Sequence, residues 1–378
     1  MKKSYLMIAA AAALFAACSN VDTFKEVNEE SPIKFEQALN KNTRAYISSE
    51  ADLATPGFQV YGYKTATKTN NVFDWAAANV QTIFNGQQKV YSSDQGSTWK
   101  YDNLRFWDKN ASYNFYAIAP YAPSTGVSYG ASTNSAYNVN TNHLFQIAGA
   151  SSKLYTQSDD YLIDRDGAKA VEYTTNNGTA AFDFHHVMAK VDFKLKSTLS
   201  TGYIVVSSLT MSGWDNATGT FNQASTTTPT TLTKDEWTLA SAVPGVATLI
   251  PSTVKSGAWS DSDPQAGQAT VKINCASTSP TEVVLSDWWI MVPQQIASGD
   301  LTFTLTYTYY DGNGYSEQFV DQVATVSNKA QIWGTDSHTT YTLDIKPNAI
   351  DFDVTSVCQF DVDGNAEDAN ISDPVNVQ

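Results

Sequence analysis

Apolar and polar residues alternate with period two along most of the chain, and no sustained 3.6-residue periodicity fills a helix-length window. The alternation predicts strands at 58–63, 113–119, 181–184, 189–195, 203–211, 269–273, 288–292, 301–309, 341–345 and 350–354. Turn chemistry punctuates them at Asn85-Gly86, Asp166-Gly167, Asn177-Gly178 and Asp311-Gly312-Asn313-Gly314. The last separates alternating runs at 302–310 and 315–323 and predicts a hairpin. Two Ser/Thr/Asn-rich stretches, 122–142 and 223–235, read as surface loops. Many short strands with such punctuation predict an all-β fold of sandwiches or barrels. The polar, glycine-containing stretch 166–179 is the best break, giving β-sandwich domains at 46–178 and 179–363 with no internal repeat.

The two ends depart from this pattern. Lys2 and Lys3 precede an apolar run, Leu6 to Ala17, that stops at Cys18. A basic start, a short apolar core and a small-residue cleavage site make a secretory signal over 1–17. Cys18 directly after Ala16-Ala17 predicts a bacterial lipoprotein, acylated on that cysteine; the alternative is an ordinary signal peptide cut nearby. The apolar run falls short of the roughly 20 residues a permanent membrane helix needs. Residues 18–45 then read as an acidic tether carrying a short strand, Ile33, Phe35 and Leu39, ahead of the tripeptide Thr43-Arg44-Ala45. At the other end, Ile350, Phe352, Val354, Ser356, Cys358, Phe360 and Val362 occupy alternate positions of one long run. As a single strand that run would measure roughly 40 Å. One of its faces suits an apolar groove. The plainer account is a terminal strand of its own domain, with a free part beginning only near Val357. Residues 364–378 form an acidic tail.

Composition narrows the function classes. The chain has 23 Lys+Arg against 38 Asp+Glu. Loss of residues 1–17 removes Lys2 and Lys3 and no acids, leaving 21 against 38, a charge of −17. That sign opposes nucleic-acid binding, which depends on neutralising phosphates. Abundant Tyr, Thr, Ser, Asn and Val favour strands and turns over helices. With Cys18 assigned to the lipid, Cys275 and Cys358 remain as one candidate disulfide pair.

Candidate chemistry is sparse. Trp99, Tyr101, Phe106, Trp107, Phe115 and Tyr116 form an aromatic cluster suited either to sugar rings on a surface or, more plainly, to a sandwich core. His185 and His186 are adjacent on a predicted strand, so they point to opposite faces and do not share a metal; His143 and His338 show no ligand spacing with them. Asp361, Asp363, Asn365 and Glu367 carry calcium-type oxygens without the spacing of a calcium loop, and a solvated tail accounts for them. Neither a Ser-His-Asp arrangement, a nucleotide-binding glycine loop nor a Cys-His signature is present, so neither catalysis nor a cofactor is expected.

In order along the chain stand the signal ending at Cys18, Ile33-x-Phe35 before Thr43-Arg44-Ala45, Trp99-x-Tyr101, Phe115-Tyr116-Ala117, Phe184-x-His186 with Ala189-Lys190-Val191, and Met291-Val292-Pro293-Gln294. That succession resembles the fimbrillins, the type V pilins of Bacteroidales, over nearly the whole chain. The resemblance implies two transthyretin-like, Greek-key sandwiches exported as an outer-membrane lipoprotein. It implies a trypsin-like protease that cuts after Arg44 and removes the first strand, and a groove that then takes a strand from the next subunit of the fimbrium. The donor strand would draw on Ile350, Phe352, Val354, Phe360 and Val362, and the fibre would serve adhesion to a host or bacterial surface. Where the family often has a Trp-containing C-terminal segment, this chain has Cys358-Gln359-Phe360, followed by the acidic tail. The competing expectation is a monomeric, surface-anchored glycan-binding lipoprotein that uses exposed Trp and Tyr.

Overall fold

The computed structural model describes residues 31–39, 50–66, 73–121, 128–129, 137–138, 142–143, 145–154, 160–164, 172–173, 178–223, 231–250, 271–285, 289–327, 329–347, 349–357 and 372–375. In chain order the first elements are β1 (Lys34–Leu39), the short helix α1 (Glu50–Ala54), β2 (Phe58–Thr65), β3 (Gln81–Val90), β4 (Ser112–Ala119), β5 (Ser128–Tyr129), β6 (Tyr137–Asn138), β7 (Asn142–His143), β8 (Gln146–Ser151), β9 (Lys153–Leu154), β10 (Leu162–Asp164) and β11 (Thr179–His186). There follow β12 (Ala189–Lys196), β13 (Tyr203–Asn222), β14 (Trp237–Ile250), β15 (Val271–Asn274), β16 (Val283–Val284), β17 (Trp289–Met291), β18 (Gln294–Ile296), β19 (Thr302–Tyr310), β20 (Ser316–Thr325), β21 (Gln331–Trp333), β22 (Ser337–Lys346), β23 (Ala349–Val357) and β24 (Ser372–Val375).

Three large sheets organise these strands. The first runs β1-β11-β10-β4-β2-β3. Its two edges approach each other across its interior, where the rings of Phe35 on β1 and Phe84 on β3 stand 5.3 Å apart. The sheet therefore curls around an aromatic core that also holds Phe58, Phe115, Phe182 and Phe184. The second sheet runs β24-β23-β22-β12-β17-β9 and the third β20-β19-β13-β8-β5. They face each other as a sandwich: Phe303 of the third lies 5.5 Å from Tyr341 and 5.2 Å from Phe352 of the second. Alternation on β12 and β19 supplies this core, with Val191, Phe193, Phe303 and Leu305 inward.

A third apolar cluster joins the two halves. Tyr61, Tyr116, Ile118 and Ile163 on the far face of the first sheet meet Ile147, Phe221, Trp237 and Ile290. Strand β4 is consequently buried at every position, because Tyr113, Phe115 and Ala117 serve one core while Tyr116 and Ile118 serve the other. Strands β8 and β9, inside the segment expected to form the first domain, pair with β13 and β17.

Local readings met mixed outcomes. The 311–314 turn joins β19 to β20 as a hairpin, with Gly312 and Gly314 at positive φ and the Asp311 carboxylate accepting from the Asn313 and Tyr315 amides. Asn85-Gly86 is not a turn between strands. Gly86 sits inside β3 at φ 78°, where the β2–β3 register shifts, so the glycine serves a bulge under the Tyr61 ring. The strand expected at 203–211 continues to Asn222, and β14 is not among the strands expected from alternation. Pro244 is tolerated since, among the described residues, β14 pairs only with β13, and Gly245 packs against the Trp214 indole.

Candidate functional site

Before residue 50 the described residues are 31–39, which contain β1 of the first sheet. This strand lies at the sheet edge and runs parallel to β11, from Lys34 opposite Thr179 to Leu39 opposite Phe184. Parallel neighbours require a crossover, so no tight turn ties β1 to its partner. Its alternation points Ile33 and Phe35 inward, 1% and 3% exposed, and Lys34 and Glu36 outward. The neighbour opposite Phe35 is Ala180, whose small side chain leaves room for the ring.

The N-terminal end of the seat is specified by hydrogen bonds. The Ile33 amide donates to the Arg105 carbonyl at 2.8 Å, and the Tyr101 hydroxyl donates to the Ile33 carbonyl at 2.9 Å. The Trp107 amide donates to the Ser31 carbonyl at 3.0 Å. Gly178, at φ 79° in the turn before β11, offers a carbonyl that accepts from the Lys34 amide and the Trp107 indole N–H. Burial pushes the Tyr101 hydroxyl above its ordinary pKa, with the Arg105 contacts opposing, so it remains a donor at neutral pH. Around Phe35 stand Phe84 and Tyr101 at 5.3 Å, Phe182 at 5.7 Å and Phe115 at 5.9 Å. A cleft of about 600 Å³ lies between Lys34–Glu36 on one side and Glu50 with 96–100 on the other.

The structure brings Ile33 and Phe35 together in one groove. Leu39 ends the same strand, and its side chain lies outside what is described. Cys18, Arg44, Ala45, Cys358, Phe360, Val362 and the acidic run from Asp361 also lie outside the described residues. Ile350, Phe352 and Val354 are found on β23, with their side chains in the core of their own sandwich. That strand pairs with β22 along its whole length and with β24 on its other side. In this arrangement these three residues are therefore not free to act as the expected donor strand.

Of the aromatic cluster, Tyr101, Trp107, Phe115 and Tyr116 are buried, and Trp99 packs on Phe58 at 5.0 Å. Only Phe106 is largely exposed, at 44%. These rings build cores and leave no flat surface platform. The adjacent histidines face different partners: His186 Nδ1 is 2.5 Å from Asp160, whereas His185 lies 3.4 Å from Asp183 and 3.5 Å from Asp336. Cys275 is a free, partly buried thiol. Sequence reasoning did not find Phe84 or the strand-holding roles of Tyr101, Trp107 and Gly178. Trp99-x-Tyr101 and Asn177-Gly178 were visible as motifs, but nothing local says what they hold.

Comparison with known proteins decides the family. The model of a family described as fimbrillin-like matches residues 43–357. The chain belongs to the fimbrillin-like family. Membership makes it a non-enzymatic structural subunit of a cell-surface fimbrium, and other fimbrial subunits are its partners. The fold is similar to that of a fimbrial protein from Bacteroides vulgatus, at 15% identity, 85% of this chain, 98% of that chain and a TM-score of 0.58. A fimbrial assembly protein from Parabacteroides distasonis aligns at 11% identity over 90% of this chain and 99% of its own, with a TM-score of 0.33 too low to bear on the fold. No curated protein matches in sequence.

Proposed function

We propose that this fimbrillin-like chain is exported as an outer-membrane lipoprotein acylated on Cys18, cut after Arg44 by a trypsin-like protease, and polymerised by strand exchange. The observation that carries this reading is β1, an edge strand that with Ile33 before it completes the first core, and whose ladder partner among the described residues is β11, with 31–33 bridged to 105–107. While β1 is seated, it covers the edge of β11 and blocks pairing with other chains. A cut after Arg44 separates β1 from the rest of the chain in covalent terms, and its release exposes β11 and an aromatic groove. An incoming strand then restores the ladder and fills the pockets. The donor is a C-terminal segment of another subunit; this chain's own donor follows Val357, with Phe360 and Val362 as its apolar positions, and enters the groove of the next subunit. Ile350, Phe352 and Val354 stay in the core of the subunit that carries them.

Filling the groove gains on the order of 1.5–3 kcal/mol for each fully buried apolar side chain. Ordering the donor costs about 1–2 kcal/mol per residue. The net gain is modest, so the durability of the fibre rests on slow strand departure. Adhesion to a host or bacterial surface is the purpose of the assembled fibre. The test is Arg44→Ala in cells. The expected outcome is lipidated, monomeric protein and no polymer; normal fibres from this variant would sink the reading.

A further inference from the structure

The seat of β1 is shaped at two positions that differ in kind. At the first, Ile33 is held through its backbone, its amide on the Arg105 carbonyl and its carbonyl on the Tyr101 hydroxyl. At the second, Phe35 is held through its ring, against Phe84, Tyr101, Phe115 and Phe182. Tyr101 belongs to both: its hydroxyl bonds the first position and its ring forms a wall of the second. The two positions are thus locked in register by one side chain. Phe35–Phe84 and Phe35–Phe115 are edge-on at 71° and 81°, while Phe35–Phe182 is stacked at 28°. Such edge and offset contacts need a planar π system, so an aliphatic side chain fills the volume without meeting the geometry. Ala180, opposite Phe35 on β11, presents only a methyl group to this socket.

We infer that the groove selects its strand by an ordered pair, an aliphatic residue followed two positions later by an aromatic one, with Tyr101 setting the register. The partner is an extended segment of a different fimbrial subunit carrying that pair; segments that alternate without it are rejected, including Phe360-x-Val362 of a second copy of this chain, where the order is reversed. A slip of two residues would place the ring where Ile33 sits and leave the four-ring socket underfilled. A slip of one would turn both side chains to solvent. The inference rests on the strand-exchange reading above and adds to it a rule for which subunits follow one another.

The test uses the full chain with 43–45 replaced by the recognition sequence of a site-specific protease. After cutting, the protein is mixed with excess fluorescent peptides of residues 31–39, and capture is read by anisotropy. The native peptide should be captured. The peptide with Ile33→Phe and Phe35→Ile has the same composition and should bind at least about ten-fold more weakly. Phe35→Ala should cost on the order of 100-fold, the scale of a buried aromatic truncated to alanine. In protein carrying Tyr101→Phe, the gap between native and swapped peptides should narrow. Equal capture of native and swapped peptides overturns the ordered-pair rule while leaving strand exchange intact. Failure of the native peptide to enter at all overturns strand exchange at this groove, and the rule with it.

Discussion

At the scale of single residues, the polar contacts around β1 carry as much information as its apolar ones. Trp107 fills the first core and also donates to the same Gly178 carbonyl that receives the Lys34 amide. Trp107→Phe should therefore retain the fold but lower stability by about 1–2 kcal/mol, the cost of a buried carbonyl losing one donor plus a smaller ring. Thermal unfolding of the uncut chain measures it. A second prediction concerns pH. Burial lowers the pKa of His185, but hydrogen bonds and charge from Asp183 and Asp336 outweigh it and raise it to about 9. A group whose pKa is raised on folding stabilises fully below its unfolded value near 6.5 and loses that contribution as pH rises through about 9. The Tm difference between the native chain and His185→Gln should be large at pH 6 and should shrink above pH 9. A difference that grows with pH would contradict the pairing.

At the scale of elements, legibility followed burial. Strands with one wet face, such as β12 and β19, declared themselves by alternation, and the Asp-Gly-Asn-Gly hairpin declared itself by turn chemistry. Strand β3 was lost because Asn85-Gly86 signals a turn and the chain uses that glycine for a bulge. Strand β14 carries Pro244-Gly245 within it, a pair whose place in a strand depends on its partner β13 and on Trp214. Ile33 and Phe35 were visible as a strand; the rings that receive them come from β3, β4, β11 and the 101 region, and no local pattern connects those. The C-terminal run shows the same limit: alternation continues smoothly from Ile350, yet β23 is paired on both sides. Two outcomes follow for this element. Phe352→Ala should destabilise the monomer by about 3–5 kcal/mol, as truncation of a buried aromatic does. Deletion of 358–378, which also removes the edge strand β24, should leave the monomer folded and block its addition to a growing fibre. Unfolding of the deleted chain, followed by circular dichroism, would instead place that segment in the subunit's own core.

At the scale of the whole molecule, the two halves share more than a linker. Strand β13 contributes Leu209 to the sandwich core and Phe221 to the cluster between the halves, and Trp237 on β14 donates to the Val187 carbonyl at 2.9 Å. The uncut chain should therefore unfold in one cooperative transition, and Trp237→Ala should lower the stability of both halves together by hydrogen exchange. A rigid subunit of this kind suits a fibre that transmits load, because tension passes through ladders and cores instead of a hinge. Strand β1 lies at an edge, parallel to its neighbour and without a tight turn to it. The account as a whole depends on that strand leaving. Mass spectrometry of subunits extracted from surface fimbriae tests it most directly: the account predicts an N-terminus at Ala45 and no peptide from 18–44, and a subunit that still begins at an acylated Cys18 within the fibre would contradict it.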